Sequence, residues 1–476
     1  MPEIAESETG WLPDLLYTGG RFESGVAMFA ASGGRITRLS RDPADLGCAA
    51  RLFGRAMLPG LVNVHSHAFQ RAIRGRTEYR TGVPFGARDT FWTWRERMYH
   101  AANRLSPEDL YAAARMAFLE MLLSGITTVG EFHYLHHAPG GSPYAERNLA
   151  GLELLRAAAD TGLRIALLRA AYARAGWRKT ADPLQARFLT PCVEEFIADT
   201  EALRAALPQA VRPERAWIGV APHSVRAVPL DYLQEVFRYA RERDLPIHMH
   251  VAEQPAEIEE SLDEYGMRPL ALLHHHGMLG PRFTAVHAIH ITLQEAGYLA
   301  GAKSRVCACP TTERNLGDGA VPADALADAG VPVCFGSDSN VQIDLLEDAR
   351  SLEYHLRMNK LERAVLAPDA AAEEDGLARR LFAGATETGA ASLCGGGGGL
   401  RPGQPADFFT VDLDDPSIAG ASAGSLLNHV VFSLERSAVR DVAVGGEFAI
   451  RDSRHPRQEE IVREFAGLQR RLWGAG

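Results

Sequence analysis

Lysine is nearly absent from this chain of 476 residues, where it occurs only at Lys179, Lys303 and Lys360. Arginine therefore supplies almost all of the positive charge. A compositional bias of the genome is the simplest explanation, but the scarcity restricts which metal centres can form. Lysine and arginine together number 50 against 60 acidic residues, a formal net charge of −10. Because binding to nucleic acid relies on a broad basic surface, this acidic balance argues against a nucleic-acid partner.

Cysteine and long apolar segments are also scarce. The six cysteines are scattered through a long chain, which excludes a disulfide-rich secreted scaffold. No uncharged apolar run reaches the ~18 residues that a membrane-spanning helix needs. The first residues, MPEIAESETGWLPD, carry acids where a signal peptide carries bases and an apolar core. We therefore expect a cytoplasmic protein that has no membrane partner.

The remaining composition is that of a globular protein. Hydrophobic residues make up 46% and charged residues 23% of the chain, which are ordinary values for a folded protein. At ~150 residues per domain, the length allows roughly three domains or one large barrel with an accessory domain.

Short apolar runs alternate with helical patterns through most of the chain. Eight such runs that precede or follow helical segments are typical of buried parallel strands, and they favour a closed (β/α)8 TIM-type barrel. The predicted strands are residues 61–67, 126–130, 164–168, 217–221, 247–250, 284–287, 305–308 and 333–336.

The two ends of the chain have a different texture, with short apolar stretches broken by glycine and serine that are typical of β-hairpins. We expect residues 1–57 and 399–476 to combine into one small β domain beside a barrel formed by residues 58–398. The five glycines at 395–399 are interpreted as a flexible break at a domain border. The C-terminal part is expected to end in a helix.

A His-x-His motif ends the first predicted strand. His65 and His67 are two residues apart, so on a strand they project to the same side and can share one metal ion. Taken alone, the motif is weak, because two histidines at this spacing are often a chance pair.

Three further residues strengthen the metal interpretation. His250 ends the fifth predicted strand, His287 ends the sixth, and Asp338 follows the eighth. Barrel enzymes build their sites at the carboxyl ends of the strands. Glu253 lies three residues beyond His250, where a carboxylate can exchange protons with a substrate.

These motifs resemble the amidohydrolase superfamily, and within it the formimidoylglutamate deiminases. The His-x-His pair and the late aspartate are specific only to the superfamily, whereas the FWTWR and HSxRAV motifs favour the narrower group. The resemblance rests on residues 65–71 (HSHAFQR), 91–96 (FWTWRE), 131–134 (EFHY), 223–228 (HSVRAV), 250–254 (HVAEQ) and 311–319 (TTERNLGDG).

The resemblance implies a metal centre and a set of catalytic groups. One divalent ion, zinc in most relatives, would be held by His65, His67, His250 and Asp338. Many relatives bridge two ions with a lysine from the fourth strand, but this strand reads WIGVA and contains none, so one ion is expected. Asp338 would take a proton from the attacking water, His287 would hold or polarise it, and Glu253 would carry a proton to the departing nitrogen.

The resemblance also implies a substrate and its contacts. N-formimino-L-glutamate carries two carboxylates, and the planar fork of arginine binds a carboxylate in a bidentate way. The expected product is N-formyl-L-glutamate with release of ammonia, a step of histidine degradation. The residues expected to contact this small dicarboxylate are Gln70, Arg95, Tyr134, His223 and Arg226.

Two other functions stay open at this point. The same metal chemistry could deaminate a purine, a pterin or another cyclic amidine. Alternatively, the chain could be a catalytically silent relative that serves as a binding module. Homodimers are common among such barrels, but no self-complementary patch identifies one here.

Several other side chains are assigned no catalytic role. The histidines at 274–276 are expected to end an exposed helix. We expect His248 to contact the neighbouring layer, and His133, His136 and His137 are left as structural groups or supports of the site. Cys307 and Cys309 are interpreted as small buried hydrophobic residues.

Overall fold

The computed structural model describes residues 8–80, 89–368 and 374–474. Its strands are β1 (Glu8–Thr18), β2 (Arg21–Glu23), β3 (Ala27–Ala31), β4 (Ile36–Ser40), β5 (Ala50–Pro59), β6 (Leu61–Ser66), β7 (Ile126–His133), β8 (Arg164–Ala171), β9 (Ala216–Pro222), β10 (Ile247–Val251), β11 (Phe283–His287), β12 (Arg305–Ala308), β13 (Val333–Phe335), β14 (Phe408–Asp412), β15 (Val439–Val444) and β16 (Glu447–Ile450).

Helices follow most of the central strands and form an outer layer. They are α1 (Pro43–Cys48), α2 (Phe91–Ala102), α3 (Pro107–Leu123), α4 (Leu149–Thr161), α5 (Val193–Ala210), α6 (Leu230–Glu242), α7 (Pro255–Tyr265), α8 (Pro269–His275), α9 (Leu293–Gly301), α10 (Pro310–Leu316), α11 (Ala323–Asp328), α12 (Leu345–Lys360), α13 (Gly376–Ala383), α14 (Gly389–Leu393), α15 (Leu426–Phe432) and α16 (Gln458–Trp473). In the part of the chain that the structure describes, none of these helices is both long enough and apolar enough to span a bilayer.

Strands β6 to β13 form the predicted barrel. They lie side by side in chain order and every neighbouring pair is parallel. The seam between β6 and β13 is closed by a parallel bridge between Ser66 and Asp338. Gly336 allows this approach, because a Cβ atom there would lie 2.7 Å from the Cβ of His65.

The predicted composite sheet is also present. Its strand order is β16-β15-β14-β5-β1-β3-β4, with β2 paired to β1, so both chain ends contribute to it. The β1/β5 pair is parallel and the other pairs are antiparallel. The terminal helix α16 buries Ile461, Phe465, Leu468 and Leu472 on one face, as its spacing predicts.

The glycine run at 395–399 is not the flexible break that the sequence suggested. A Cβ atom on Gly395 would lie 2.0 Å from the Trp217 ring, and one on Gly398 would lie 2.6 Å from the backbone of Thr386. Arg164 Nη2 also donates a hydrogen bond to the carbonyl of Gly395 at 2.6 Å. The small size of glycine serves close packing here, a role that a sequence cannot distinguish from flexibility.

Candidate metal centre and substrate pocket

The predicted metal ligands meet at the carboxyl ends of the barrel strands. His65 and His67 come from β6 and the residue after it, His250 from β10, and Asp338 from the turn after β13. The donor nitrogens of the three histidines lie within 4.8 Å of one another, and all three residues are buried. The fold therefore brings together four residues that are up to 273 positions apart in the chain.

Backbone carbonyls set the orientation of two of these imidazoles. His67 Nδ1 donates to the carbonyl oxygen of Phe132 at 2.8 Å, and His250 Nδ1 donates to that of His223 at 3.1 Å. With the proton on Nδ1, each ring presents the lone pair of Nε2 to the centre of the site. This is the arrangement by which supporting hydrogen bonds orient metal-binding histidines.

The spacing of the donor atoms fits a small divalent cation. His250 Nε2 lies 3.2 Å from His65 Nε2, and Asp338 Oδ1 lies 3.3 Å from Nε2 of both His65 and His67. Ligands held at ~2.1 Å around a tetrahedral zinc ion are ~3.4 Å apart. Three imidazole nitrogens and one carboxylate oxygen are also a donor set that zinc accepts. His65, His67, His250 and Asp338 are thus the residues that would hold the ion.

Burial keeps the histidines of this group neutral. It lowers the pKa of His65 to about 3 and also lowers the pKa values of His67 and His250. Burial acts to raise the pKa of Asp338, but the hydrogen bond with His65 and the nearby histidines His65, His67 and His287 together outweigh it and hold that pKa below its ordinary value. Neutral imidazoles and an ionised carboxylate are the protonation states that metal binding requires.

His287 has a different environment, between several carboxylates. Its Nδ1 lies 3.2 Å from Glu313 Oε1, whereas its Nε2 lies 3.6 Å from Glu253 Oε1 and 3.8 Å from Asp338 Oδ2. Burial acts to lower the pKa of His287, but the charge of Glu253 and the hydrogen bond with Glu313, with smaller effects of Cys309 and Asp338, together outweigh it and raise that pKa well above its ordinary value. A protonated imidazole donates from both nitrogens, so His287 is suited to stabilise negative charge.

The loop after β10 fixes Glu253 beside His287. Glu257, at the start of α7, accepts hydrogen bonds from the backbone amides of Ala252 and Glu253 at 3.2 and 3.3 Å. Ala252 is held in the left-handed region with φ of 54°, a strained conformation of the kind found at functional sites. Burial raises the pKa of Glu253, whereas His287 acts to lower it. A raised pKa increases the fraction of the carboxyl group that is protonated and therefore able to donate a proton.

A cleft of about 480 Å³ opens above these groups. All the predicted site residues line it except His65, which is fully buried. The predicted residues along its walls are His67, Gln70, Arg95, Tyr134, His223, Arg226, His250, Glu253, His287 and Asp338.

Two arginines point unpaired polar atoms into this buried region. Arg95 Nε and Nη1 and Arg226 Nη1 are buried without a hydrogen-bond partner among the described residues. Within the same residues, neither guanidinium lies within 4.0 Å of a carboxylate. Arg95 instead packs over the ring of Trp92, with its Cζ atom 4.4 Å from the ring centroid. Because buried unpaired donors are costly, this arrangement favours an anionic ligand.

The polar network of the cleft includes residues that sequence reasoning missed. Gln70 Nε2 donates to the Tyr134 hydroxyl at 2.9 Å, so two predicted contacts also bind each other. Tyr99 and Tyr172, which were not predicted, line the same cleft with their hydroxyls 3.4 Å apart. Tyr99 lies four residues after Arg95 on α2, and Tyr172 follows β8. Helical spacing and strand-end position could therefore have identified both.

The histidines outside the predicted ligand set make other contacts. His248 bonds to the carbonyl of Ser392 at 3.2 Å, His136 to that of Ala170 at 2.8 Å, and His137 to that of Leu189 at 2.9 Å. The histidines at 274–276 lie at the end of α8, as predicted.

Cys309 was predicted to be a small buried hydrophobic residue. It is buried, and it also lies next to two residues of the candidate site. Its Sγ is within 4.8 Å of donor atoms of His287 and Asp338. Burial raises the pKa of this thiol to about 12, so it remains neutral near pH 7.

Comparisons with known proteins agree with this architecture. Over 426 residues the chain is 37% identical to the formimidoylglutamate deiminase of Pseudomonas aeruginosa, covering 89% of this chain and 91% of that protein. It is 30% identical over 418 residues to the 8-oxoguanine deaminase of the same organism, covering 83% and 86% of the two chains. The crystal structure of an amidohydrolase from Brucella melitensis superposes with a TM-score of 0.87 at 33% identity, covering 98% and 99% of the two chains.

The match to a family extends over most of the chain. Residues 56–449 match the Amidohydrolase family, and this segment contains the barrel and every group of the candidate site. Amidohydrolases are metal-dependent hydrolases, which agrees with the donor set found at the mouth of the barrel. The chain belongs to the amidohydrolase family.

Proposed function

We propose that the protein hydrolyses the formimino group of N-formimino-L-glutamate to give N-formyl-L-glutamate and ammonia. The observation that carries the proposal is that Arg95 and Arg226 each have buried guanidinium nitrogens without a hydrogen-bond partner among the described residues, in the cleft that also contains Glu253 and His287. A linear substrate with two carboxylates would satisfy both arginines. The resemblance to the Pseudomonas aeruginosa enzyme supports the same substrate.

The reaction adds water to a carbon–nitrogen double bond and then breaks the bond between that carbon and the terminal nitrogen. A divalent cation, which we propose to be zinc, would supply Lewis-acid chemistry that makes water nucleophilic near neutral pH. Asp338 would accept a proton from the attacking water. The second proton of water would leave the hydroxyl of the addition intermediate as the formyl C=O forms. Glu253 would carry protons to the terminal NH, which gains both hydrogens of the water and leaves as ammonia, while the oxygen of the water remains as the formyl oxygen.

The remaining groups would bind the substrate and stabilise charge. His287 would donate from Nε2 to the electron-rich atoms of the addition intermediate, because Nε2 is the ring nitrogen that faces Glu253 and Asp338. The guanidiniums of Arg95 and Arg226 would hold the carboxylates and fix the distance from them to the reacting carbon. Histidine degradation is the metabolic role that this reaction would serve.

Deamination of a purine is the second candidate. The 30% identical 8-oxoguanine deaminase and the aromatic walls of the cleft, formed in part by Trp94, Tyr99 and Tyr134, favour it. A neutral base has no carboxylate for Arg95 and Arg226, so neither guanidinium would gain an anionic partner in the complex. That difference makes the dicarboxylate the better candidate.

Release of ammonia from a panel of substrates tests the proposal. The purified, metal-loaded protein is assayed with formiminoglutamate, adenosine, guanine and 8-oxoguanine at equal concentrations. We expect the highest kcat/KM with formiminoglutamate. A higher value with any of the purines would refute the proposed substrate, and no ammonia from any of the four would favour a silent binding module.

A further inference from the structure

One buried carboxylate at the site has no role in the proposed reaction. Glu313 lies in α10, within the TTERNLGDG segment, and only 1% of its surface is exposed. It does not line the cleft. Its Oε2 atom has no hydrogen-bond partner among the described residues. A buried carboxyl group is costly unless its contacts compensate, so its place in the fold needs an explanation.

The other oxygen of Glu313 makes two contacts. Oε1 accepts a hydrogen bond from the backbone amide of Cys309 at 2.8 Å and lies 3.2 Å from Nδ1 of His287. The first contact satisfies a free amide at the start of α10, which is an ordinary capping role. The second contact joins α10 to the imidazole at the end of β11, and capping does not account for it.

The contact with Glu313 determines which nitrogen of His287 faces the cleft. Because Nδ1 donates to Glu313, Nε2 is the atom left to face Glu253 and Asp338. The backbone of His287 is itself in the left-handed region with φ of 70°. A strained residue of this kind keeps its conformation only where surrounding contacts hold it. Among the described contacts of the ring, the one at Nδ1 is to Glu313, whereas the face of the ring stacks on His250 with 5.6 Å between the ring centroids.

We propose that Glu313 is a positioning residue that holds His287 through Nδ1, so that Nε2 is presented to the reacting amidine. It acts through His287 and has no contact with the substrate. Its negative charge also strengthens donation from the imidazole, because a charge-assisted hydrogen bond is about twice as strong as a neutral one. This inference rests on the role of His287 in the proposed function.

The inference is tested with two variants of different severity. Glu313→Gln keeps an oxygen that can accept from Cys309 and His287 but removes the charge, whereas Glu313→Ala removes both contacts. Loss of the outer partner of a metal-binding histidine typically costs about 10–100-fold in affinity or activity, and we expect an effect of similar size for a histidine that contacts the substrate. We therefore expect kcat for formiminoglutamate to fall about 10-fold in the first variant and about 100-fold in the second. KM and the metal content per chain should remain those of the wild type.

A matched control separates this effect from the general cost of changing a buried glutamate. Glu353 on α12 is fully buried and accepts hydrogen bonds from the amides of Val365 and Leu366, but it lies outside the cleft. Glu353→Gln should leave kcat unchanged at a temperature well below its Tm. If Glu313→Ala does not fold, the Gln variant decides the question.

Three results would overturn the inference. The first is a kcat of Glu313→Gln equal to that of the wild type. The second is a loss of activity in the Glu313 variants that is explained by a lower metal content or by a higher KM. The third is a decrease in kcat of Glu353→Gln as large as that of Glu313→Gln. Failure of the proposed function gives a different result, since the wild-type protein would then have a higher kcat/KM with one of the purines than with formiminoglutamate. In that case the variants are compared on whichever purine the wild type deaminates, because the position of His287 matters equally there.

Discussion

Asp338 and His65 are joined at both the backbone and the side chain. The amide of Asp338 donates to the carbonyl of His65 at 2.9 Å, and Asp338 Oδ1 lies 3.3 Å from His65 Nε2. The first contact closes the barrel between β6 and β13, and the second lies in the candidate metal centre. The closure of the barrel therefore also brings the side chain of Asp338 next to that of His65, although the two residues are far apart in the chain.

Glu253→Gln should abolish most of the activity without loss of metal. Glu253 is the carboxyl group beside His287 Nε2 in the cleft, and an amide cannot transfer a proton. Loss of a general acid or base costs about 10²–10⁴-fold in rate, so we expect a decrease of that size in kcat. Metal analysis of the variant should still give the wild-type content. Glu259→Gln, an exposed change on α7, is the control, and full activity in Glu253→Gln would remove Glu253 from the mechanism.

Arg226→Met should weaken substrate binding with little change in metal content. The guanidinium is buried and has no carboxylate of the described residues within 4.0 Å, so the substrate would be its anionic partner. Loss of a buried charge pair costs about 2 kcal/mol or more, which corresponds to a rise in KM of about 30-fold. Steady-state kinetics with formiminoglutamate measures this change in KM. Arg314→Met removes a guanidinium that is paired with Glu347, and it should leave KM unchanged. If the KM of Arg226→Met were as close to the wild-type value as that of Arg314→Met, Arg226 would lie outside the binding site.

Glu257→Gln should change how stability depends on pH. Burial raises the pKa of Glu257 to about 7 in the folded protein, although the charge of Arg226 acts to lower it. An acid with a raised folded pKa stabilises the fold below its unfolded pKa of about 4.3. That contribution is lost as the pH rises to about 7.

Denaturant unfolding of wild type and Glu257→Gln at pH 5 and pH 8 checks this prediction. From pH 5 to pH 8 the free energy of unfolding of the wild type should fall by about 2 kcal/mol relative to that of the variant, because the variant lacks the titrating group. A difference between the two proteins that is the same at both pH values would show that Glu257 is ionised throughout.

Gly395→Ala should destabilise the protein. The added Cβ would lie 2.0 Å from the Trp217 ring, whose Nε1 is held by a hydrogen bond to the carbonyl of Leu393 at 2.7 Å. Overpacking of this kind costs about 1–3 kcal/mol in the free energy of unfolding. Gly467→Ala on α16 meets only arginine ends at 3.5 Å and beyond, so it should be neutral or stabilise by up to about 1 kcal/mol. If Gly395→Ala were as stable as the wild type, the run would be the flexible break that the sequence suggested.

The sequence predicted most of the fold because its patterns are periodic and local. The buried strands are continuous apolar runs, and the predicted strand that contains His250 differs from β10 by one residue. Barrel enzymes place their functional residues at the carboxyl ends of the strands. That position can be read from the sequence without knowledge of the tertiary contacts, and it identified His65, His67, His287 and Asp338 as candidates.

What the sequence did not reveal depends on contacts between distant residues. The positions of Tyr99 and Tyr172 on α2 and after β8 could have marked them as candidates, but the 3.4 Å approach of their hydroxyls across the cleft appears only in the fold. The role of Glu313 depends on its distance from His287, which is 26 positions away in the chain. The glycine run was misinterpreted because only the fold places Trp217 against Gly395.

Anomalous X-ray scattering at the zinc absorption edge, from crystals of the zinc-loaded protein, tests the central claim most directly. The account predicts one strong peak per chain, ~2.0–2.2 Å from Nε2 of His65, His67 and His250 and from a carboxylate oxygen of Asp338. A peak on other residues, or active protein whose crystals show no peak at these four, would contradict it.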